Sequence, residues 1–538
     1  MPRRDGHAAI GHGDCGPSVR SLAFRRRVER GGHRSWRLAP LACLSVAAAV
    51  VGARGLHADE LSDSVARLRA EYAAALEDLA AQAEAQGLAA EADAARHWLA
   101  PGDPYEVRIP ALDDRIGPPP APPGASAAAL QWRERFLQRR AKQAEAYFEL
   151  ARRVVRRRPS AAFELVLMAA RENPNHPDVR RVLGYEPYEG RWRTFWEARQ
   201  LKAGRVDDER FGWLPADWVA RYHRGERMHQ GRWISAEEDA RLHATIEQGW
   251  DVETEHYAIR TNHGIEAGVA LGRKLEAFLR AWQQLFIRYY ATEGQVVALF
   301  DGRARGQRAE VPRLAVVHFR DREDYNRSLR AAVPNVEITI GMYLERMRRA
   351  YFFAGPEADD RTLYHEATHQ LFHQSRPVAP YVGRRANFWI VEGAALLMES
   401  FRREGPWYVV GGVDDIRFHA ARYRLLNDGF FIPFEQAAAM GMDGVQRDPR
   451  IATLYSQFTG MAYFLVFHDQ GRYRDALVEY LATVYAGRDT PDSLARLAGA
   501  SFAELDRQYR QFIAAAPAPR SENRAAAPAP KLAPPLGM

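Results

Sequence analysis

From residue 60 to about 99 apolar side chains recur at helical spacing (Val65, Leu68, Tyr72, Leu76, Leu79), and Gly87 interrupts the run. Steps of three and four residues predict an amphipathic helix pair, an α-hairpin within 59–116. Residues 117–126, GPPPAPPGAS, predict a stiff linker. Helical periodicity resumes through Leu130, Phe136, Tyr147, Leu150 and Val154 and again over 161–172. Two copies of a short motif follow, YEPYEGRWRTFWEA around Trp192 and RMHQGRWISAEEDA around Trp233, 41 residues apart. Each predicts a strand pair and then a helix. Two copies are fewer than a propeller or solenoid needs, so residues 127–250 form a helical region with two GRW modules whose aromatic residues serve hairpin and core packing.

Near Asp251 the pattern changes. HYAIRT (256–261) alternates as a strand, 265–290 has the period of a long helix, LAVVHF (314–319) is an apolar strand, and MYLERMRRAYFF (342–353) predicts a hairpin. After Phe401 the chain is mostly helical to Ala514, with LYSQFTGMAYFLVF (454–467) as its most apolar helix, and the Ala/Pro-rich residues 515–538 predict a disordered tail. The expected class is α+β, a helical N-terminal region followed by a domain over 251–514. The Pro-rich linker and the change of pattern predict that this domain has a core of its own.

Composition narrows the function. The 538 residues are 47% hydrophobic and 27% charged, which excludes a wholly disordered chain. The net charge of +7 belongs entirely to residues 1–58, where ten Arg face Asp5, Asp14 and Glu29; residues 59–538 sum to zero. A neutral body lacks the footprint of a nucleic-acid partner. Within 1–58, Arg25 to Arg37 precede the apolar run 38–53, the charge-then-apolar order of a secretory signal peptide. An extracytoplasmic location is expected, with a membrane contact only through this leader if it stays uncleaved. Cys15 and Cys43, the only cysteines, lie in this leader, so the mature chain has no disulfide, thiolate zinc site or cysteine nucleophile. Beyond the leader no GxSxG, Walker or GxGxxG pattern is present.

The motif with chemical content is His365-Glu366-Ala367-Thr368-His369. Imidazoles at i and i+4 share a helix face about 6 Å apart along the axis and can grip one metal, while Glu366 turns toward the open side. Asp359 or Asp360 suits the N-cap. A hydrolytic zinc site needs a third ligand and a position left for water. His373 fails, because eight helical residues rise about 12 Å and zinc–nitrogen bonds are about 2 Å. A metzincin-spaced histidine is absent, since Phe372 and Ser375 stand at the Gly and His positions of that pattern. The remaining candidate is Glu392 in FWIVEGAALLMES, on a helix whose Gly393, Ala394 and Ala395 would allow close packing against the HExxH helix. Glu399, seven residues on, shares its face and suits the orienting of a histidine.

HExxH followed 23 residues later by the Glu of WxxEGxA resembles the gluzincins, the thermolysin-like zinc metallopeptidases. Residues 389–395, the helix around Tyr455, the GRW segments and TEHYAIRTN also resemble an uncharacterised bacterial domain family with a gluzincin-like core. The peptidase resemblance covers about 251–514. It implies Zn²⁺ on His365, His369 and Glu392, Glu366 as general base, a peptide or protein substrate, and a small mixed sheet with the two motif helices and a helical C-terminal part. The thermolysin pattern has an Asp four residues after its ligand Glu; here Leu396 stands there. A further donor is expected at the reacting oxygen. Related cores place a tyrosine on a helix after the Glu helix, which points to Tyr455; a hydroxyl spent on the backbone is the alternative, and His419 and His468 are weaker candidates. The competing function is a non-catalytic zinc-containing scaffold of the cell envelope. Glu366 speaks against it, because a structural site needs no base.

Overall fold

The computed structural model describes residues 58–99, 103–302 and 312–518. The expected signal peptide therefore lies outside the described residues, apart from Ala58, as does the tail from residue 519. Among the described residues no helix is long and apolar enough to cross a membrane. The architecture is mixed α+β.

Helices Ala58–Ala85 and Ala89–His97 turn back on each other at Gly87, whose φ of +73° is the left-handed conformation that ends a helix. Tyr72, Leu76 and Leu79 pack with Ala92, Ala95, Trp132 and Phe136. Helix Ala127–Val154 starts where the Ser126 hydroxyl, last residue of the Pro-rich segment, accepts from Ala129 N at 3.2 Å. It packs against helix Pro159–Glu172 through Leu150, Val154, Phe163 and Val166. The α-hairpin reading of 59–116 missed a strand, β1 (Glu106–Pro110). Its Val107 and Ile109 are buried and alternate with Glu106 and Arg108, a period-2 pattern too short to register beside the helices.

The region after it holds three hairpin–helix units in place of the two expected. They are β2 (Tyr185–Tyr188) with β3 (Arg191–Thr194), β4 (Arg205–Asp208) with β5 (Gly212–Pro215), and β6 (Glu226–His229) with β7 (Arg232–Ser235). Gly184, Gly204 and Gly225, spaced by 20 and 21 residues, stand before the units with φ of 103°, 75° and 88°. The outer hairpins close through two left-handed residues, Glu189-Gly190 and Gln230-Gly231. The middle one pairs Asp208 with Gly212, one residue longer, and carries Gly-Trp-Leu instead of Gly-Arg-Trp. Edge-to-face pairs Trp196–Trp213 and Trp218–Trp233 join each unit to the next.

Beyond Trp250 a five-stranded sheet has the order β11-β12-β10-β9-β8. Its central strands β9 (Tyr257–Thr261), β10 (Leu314–Phe319) and β12 (Arg349–Phe353) are parallel, while β8 (Trp250–Glu253) and β11 (Met342–Leu344) close the edges antiparallel. The expected long helix is Ile265–Leu285, broken at Phe286. A second sheet, β1-β14-β13, joins β1 to β14 (Trp407–Gly411) and β13 (Arg402–Glu404). Tyr105, Val107, Ile109 and Leu167 thus share one core with Trp282, Trp389 and Phe464. The packing crosses the boundary expected at Asp251, and the described residues from Ala58 on form one compact unit.

Candidate metal centre

The HExxH motif lies on helix Asp360–Gln374, capped by Asp359, whose carboxylate accepts from Thr362 N at 2.6 Å. One face of this helix is pinned to the sheet, Gln370 Nε2 donating to Ala315 O at 2.9 Å and Gln374 Nε2 to Arg348 O at 2.9 Å. Beside it runs helix Phe388–Met398, apolar at ten of eleven positions if glycine is counted, with every residue buried and Glu392 as the exception in kind. Its start is fixed by Tyr480, whose hydroxyl donates to Asn387 Oδ1 at 2.5 Å and accepts from Trp389 Nε1 at 3.1 Å. Gly393 does not serve the HExxH helix as expected. A Cβ there would lie 2.9 Å from the Phe458 carbonyl oxygen, so the glycine lets the Glu392 helix approach helix Ile451–Phe467.

Three ligand atoms converge. His365 Nε2 and His369 Nε2 are 3.1 Å apart, and Glu392 approaches them at 3.6 Å (Oε2) and 3.8 Å (Oε1). Bonds of about 2.0–2.1 Å at tetrahedral angles place ligand atoms roughly 3.3 Å apart. Glu392 is 3% exposed and its Oε2 has no hydrogen-bond partner. An unsatisfied carboxylate oxygen facing two imidazole nitrogens is the donor set of a small divalent cation, and the residues fit one. His365 Nδ1 lies 3.0 Å from Glu399 Oε1, which assigns the proton to Nδ1 and leaves Nε2 to coordinate. Glu399 is held in turn by Arg417 at 2.8 and 3.1 Å and by Arg361 at 3.3 Å, and Arg361 also reaches Asp415 at 2.8 Å.

The electrostatics follow this order. Without a cation, burial opposes the charged form of His365, but Glu392 and Glu399 outweigh it and hold its pKa up at about 10, so that a metal on Nε2 would take the place of a proton there. Burial, with the His365 charge, pushes His369 down to about 4. Against burial, Arg417 and His365 hold Glu399 down at about 2. Burial lifts Glu366 to about 7, with His365 and the Tyr343 backbone N–H opposing. That N–H, on edge strand β11, donates to Glu366 Oε2 at 2.7 Å. Glu366 is half-buried and is not among the converging atoms.

Tyr455 lies on helix Ile451–Phe467, 2% exposed, and its hydroxyl has no hydrogen-bond partner, so it is not spent on the backbone. Burial raises its pKa, and the Glu392 and Glu366 charges raise it further, which sets it in the field of the site. His468 packs on Phe464 and Tyr473, and neither it nor His419 joins the converging group. His373 faces a different pair, Tyr343 Oη at 3.1 Å and Glu345 Oε1 at 2.6 Å. Sequence reasoning missed the Arg361, Asp415 and Arg417 support, whose members join only through the tertiary fold. It also missed a second group, His229, Asp239 and His243. There Asp239 Oδ2 accepts from Trp250 Nε1 at 2.7 Å and His243 stacks on Trp250, so both side chains are already engaged. No protein-family model matches the chain, and no curated protein matches it in sequence.

Proposed function

We propose that the protein is an exported zinc-dependent metallopeptidase. The reading is carried by the convergence of His365 Nε2, His369 Nε2 and Glu392 with a separate, half-buried Glu366 beside them. Two histidines and one glutamate form a three-ligand set of the kind that leaves a position open, and imidazole with carboxylate suits zinc. Zinc, when bound, supplies a Lewis acid that acidifies water and polarises a carbonyl.

The chain's own groups do the rest. Glu366, with Oε2 held by Tyr343 N–H, accepts the water proton at Oε1 and returns it to the leaving amide nitrogen. Glu399 keeps the His365 ring oriented. The unpartnered Tyr455 hydroxyl is a donor for the reacting carbonyl oxygen. The outer edge of β11, next to Glu366, suits an extended peptide.

Glu366→Gln tests the reading. It keeps size and shape but cannot take the proton, so metal analysis should find zinc at the wild-type stoichiometry of one per chain. Hydrolysis of a peptide library should fall by roughly 10²–10⁴-fold. Equal hydrolysis by both proteins would overturn the mechanism, no cleavage by zinc-loaded wild type would favour the scaffold, and a second zinc would bring in the His229 group.

A further inference from the structure

Between Arg313 and Arg402 the arginines divide into two groups. Those on the sheet and its flanking helices pair with acids: Arg313 with Glu253, Arg322 with Glu357, Arg330 with Glu337 and Arg361 with Glu399. Arg346, Arg348, Arg349, Arg376, Arg384 and Arg385 have no ion pair among the described residues. All of these fall in two loops, the turn 345–349 between β11 and β12 and the linker 375–387 between the HExxH and Glu392 helices. Both loops continue elements of the metal centre. Tyr343, whose N–H holds Glu366, stands three residues before Arg346, at most about 11 Å along the chain. Gln374 Nε2 donates to Arg348 O at 2.9 Å, which ties the turn to the last residue of the HExxH helix, and the linker begins at the next residue. At the other end of the linker, Arg385 stands seven residues before Glu392.

Little negative charge answers these arginines. The linker contains no Asp or Glu. In the turn, Glu345 faces His373, its Oε1 lying 2.6 Å from the ring Nε2. Beside the linker, Asp489 accepts from Asn387 Nδ2 at 2.7 Å, and Asp443, brought close by the Met442 N–H on Gly383 O at 3.0 Å, pairs with no arginine. Arg376 is spent on the Tyr289 carbonyl at 3.0 Å. The other five are exposed, with Arg384 lying 4.8 Å over the ring of the exposed Tyr381. A chain whose body is neutral thus concentrates positive charge in two loops beside one site, and a local field of this kind gathers anionic partners.

We propose that the metal centre takes acidic polypeptides, whose carboxylates are read by Arg346, Arg348 and Arg349 on the turn and by Arg384 and Arg385 on the linker. A peptide extended along the outer edge of β11 advances about 3.3 Å per residue, so a side chain about three residues from Glu366 comes level with the turn. The planar fork of arginine matches a carboxylate. The reaction rests on the peptidase reading and the charge selection does not, so each can fail alone.

Fluorescence anisotropy tests it on zinc-loaded Glu366→Gln protein, which holds a peptide without turnover. The probes are dodecapeptides with one common dye, alternating Ala with Glu, Gln or Lys. The Glu peptide should bind at least about tenfold tighter than the Gln peptide, the Lys peptide should bind weakest, and the gap should narrow from about 50 to about 300 mM NaCl. In the same background, Arg346→Gln/Arg348→Gln/Arg349→Gln and Arg384→Gln/Arg385→Gln should each weaken the Glu peptide by about fivefold or more and leave the Gln peptide unchanged. The matching Lys variants, which keep the charge, should recover most of the loss. Arg153→Gln/Arg156→Gln, which removes the same charge as the linker pair from exposed positions of the N-terminal region, should bind as its parent does. The proposal is overturned if the Glu and Gln peptides bind alike, a comparison that needs no arginine variant. It is also overturned if both loop variants bind as their parent does, or if the Arg153/Arg156 variant loses as much as the linker pair. Sedimentation with phosphatidylglycerol vesicles that the loop variants lose, without preference among the peptides, would assign the arginines to a membrane surface and overturn it too. Hydrolysis by wild type forms the separate arm. Selective binding without cleavage would overturn the peptidase reading alone, and cleavage of the Glu and Gln peptides at equal kcat/KM would overturn the acid selection alone.

Discussion

His365 is held through both ring nitrogens, Nε2 toward His369 and Glu392 and Nδ1 on Glu399. Glu399 stands three residues beyond Leu396, the position at which the thermolysin pattern has its Asp; Leu396 itself is buried in the core. Glu399→Gln removes the counter-charge of Arg417 and Arg361 and weakens the grip on Nδ1–H. Zinc affinity should fall by about 10–100-fold with stoichiometry retained at saturation, measured by chelator competition. Unchanged affinity would separate Glu399 from the site. Elsewhere a single histidine sets a pH response. His318 on β10 is pushed down to about 4 by burial, aided by His263, and its Nδ1 has no partner. Its folded pKa lies below the unfolded value of about 6.5, so the unfolded chain takes the proton first. The contribution is neutral above pH 6.5 and turns against folding as pH falls from about 6.5 to 4. Urea melts of wild type and His318→Asn at pH 7.5 and 5 should show the smaller acid loss in the variant; equal losses would clear His318. The motif residues could be read in the sequence because i and i+4 on a helix are neighbours by geometry alone. The Arg361–Asp415–Arg417 support could not, since it joins residues up to 56 apart that only the fold brings together.

At the scale of elements, strongly periodic segments were readable and short ones were not. LAVVHF and the hairpin of 342–353 form the strands that their patterns predict, because each carries enough buried positions to declare a period. The second hairpin unit was hidden by one extra loop residue and the loss of the Arg between Gly and Trp, although Gly204 and Trp213 keep the 20–21-residue step. Gly393 could be read as a close-packing position, but not which helix approaches it. Its near neighbour is the Phe458 carbonyl, a backbone atom that cannot rotate away. Gly393→Ala should therefore cost about 1–3 kcal/mol in urea unfolding of the metal-free protein, as overpacking does. Stability equal to wild type would mean that the two helices part without penalty.

At the scale of the molecule, the change of pattern at Asp251 marks a change of secondary structure and not the edge of a core. β1, from the N-terminal side, pairs along all five residues with β14, and its Val107 and Ile109 enter the core that also holds the Glu392 helix. Leu167 of helix Pro159–Glu172 joins the same core. A fragment of residues 245–516 would keep every predicted metal ligand. It would also bare the edge of β14, whose Val409 and Val410 are fully buried, and open cavities where Tyr105, Val107, Ile109 and Leu167 had packed. An apolar strand edge released in this way is a template for association. The fragment should therefore elute as aggregate in size-exclusion chromatography and melt without a cooperative transition, while a chain of residues 58–518 stays monodisperse and melts cooperatively. A monomeric, cooperatively melting 245–516 fragment with one zinc would show that the second core is complete without β1, as the sequence pattern alone suggests.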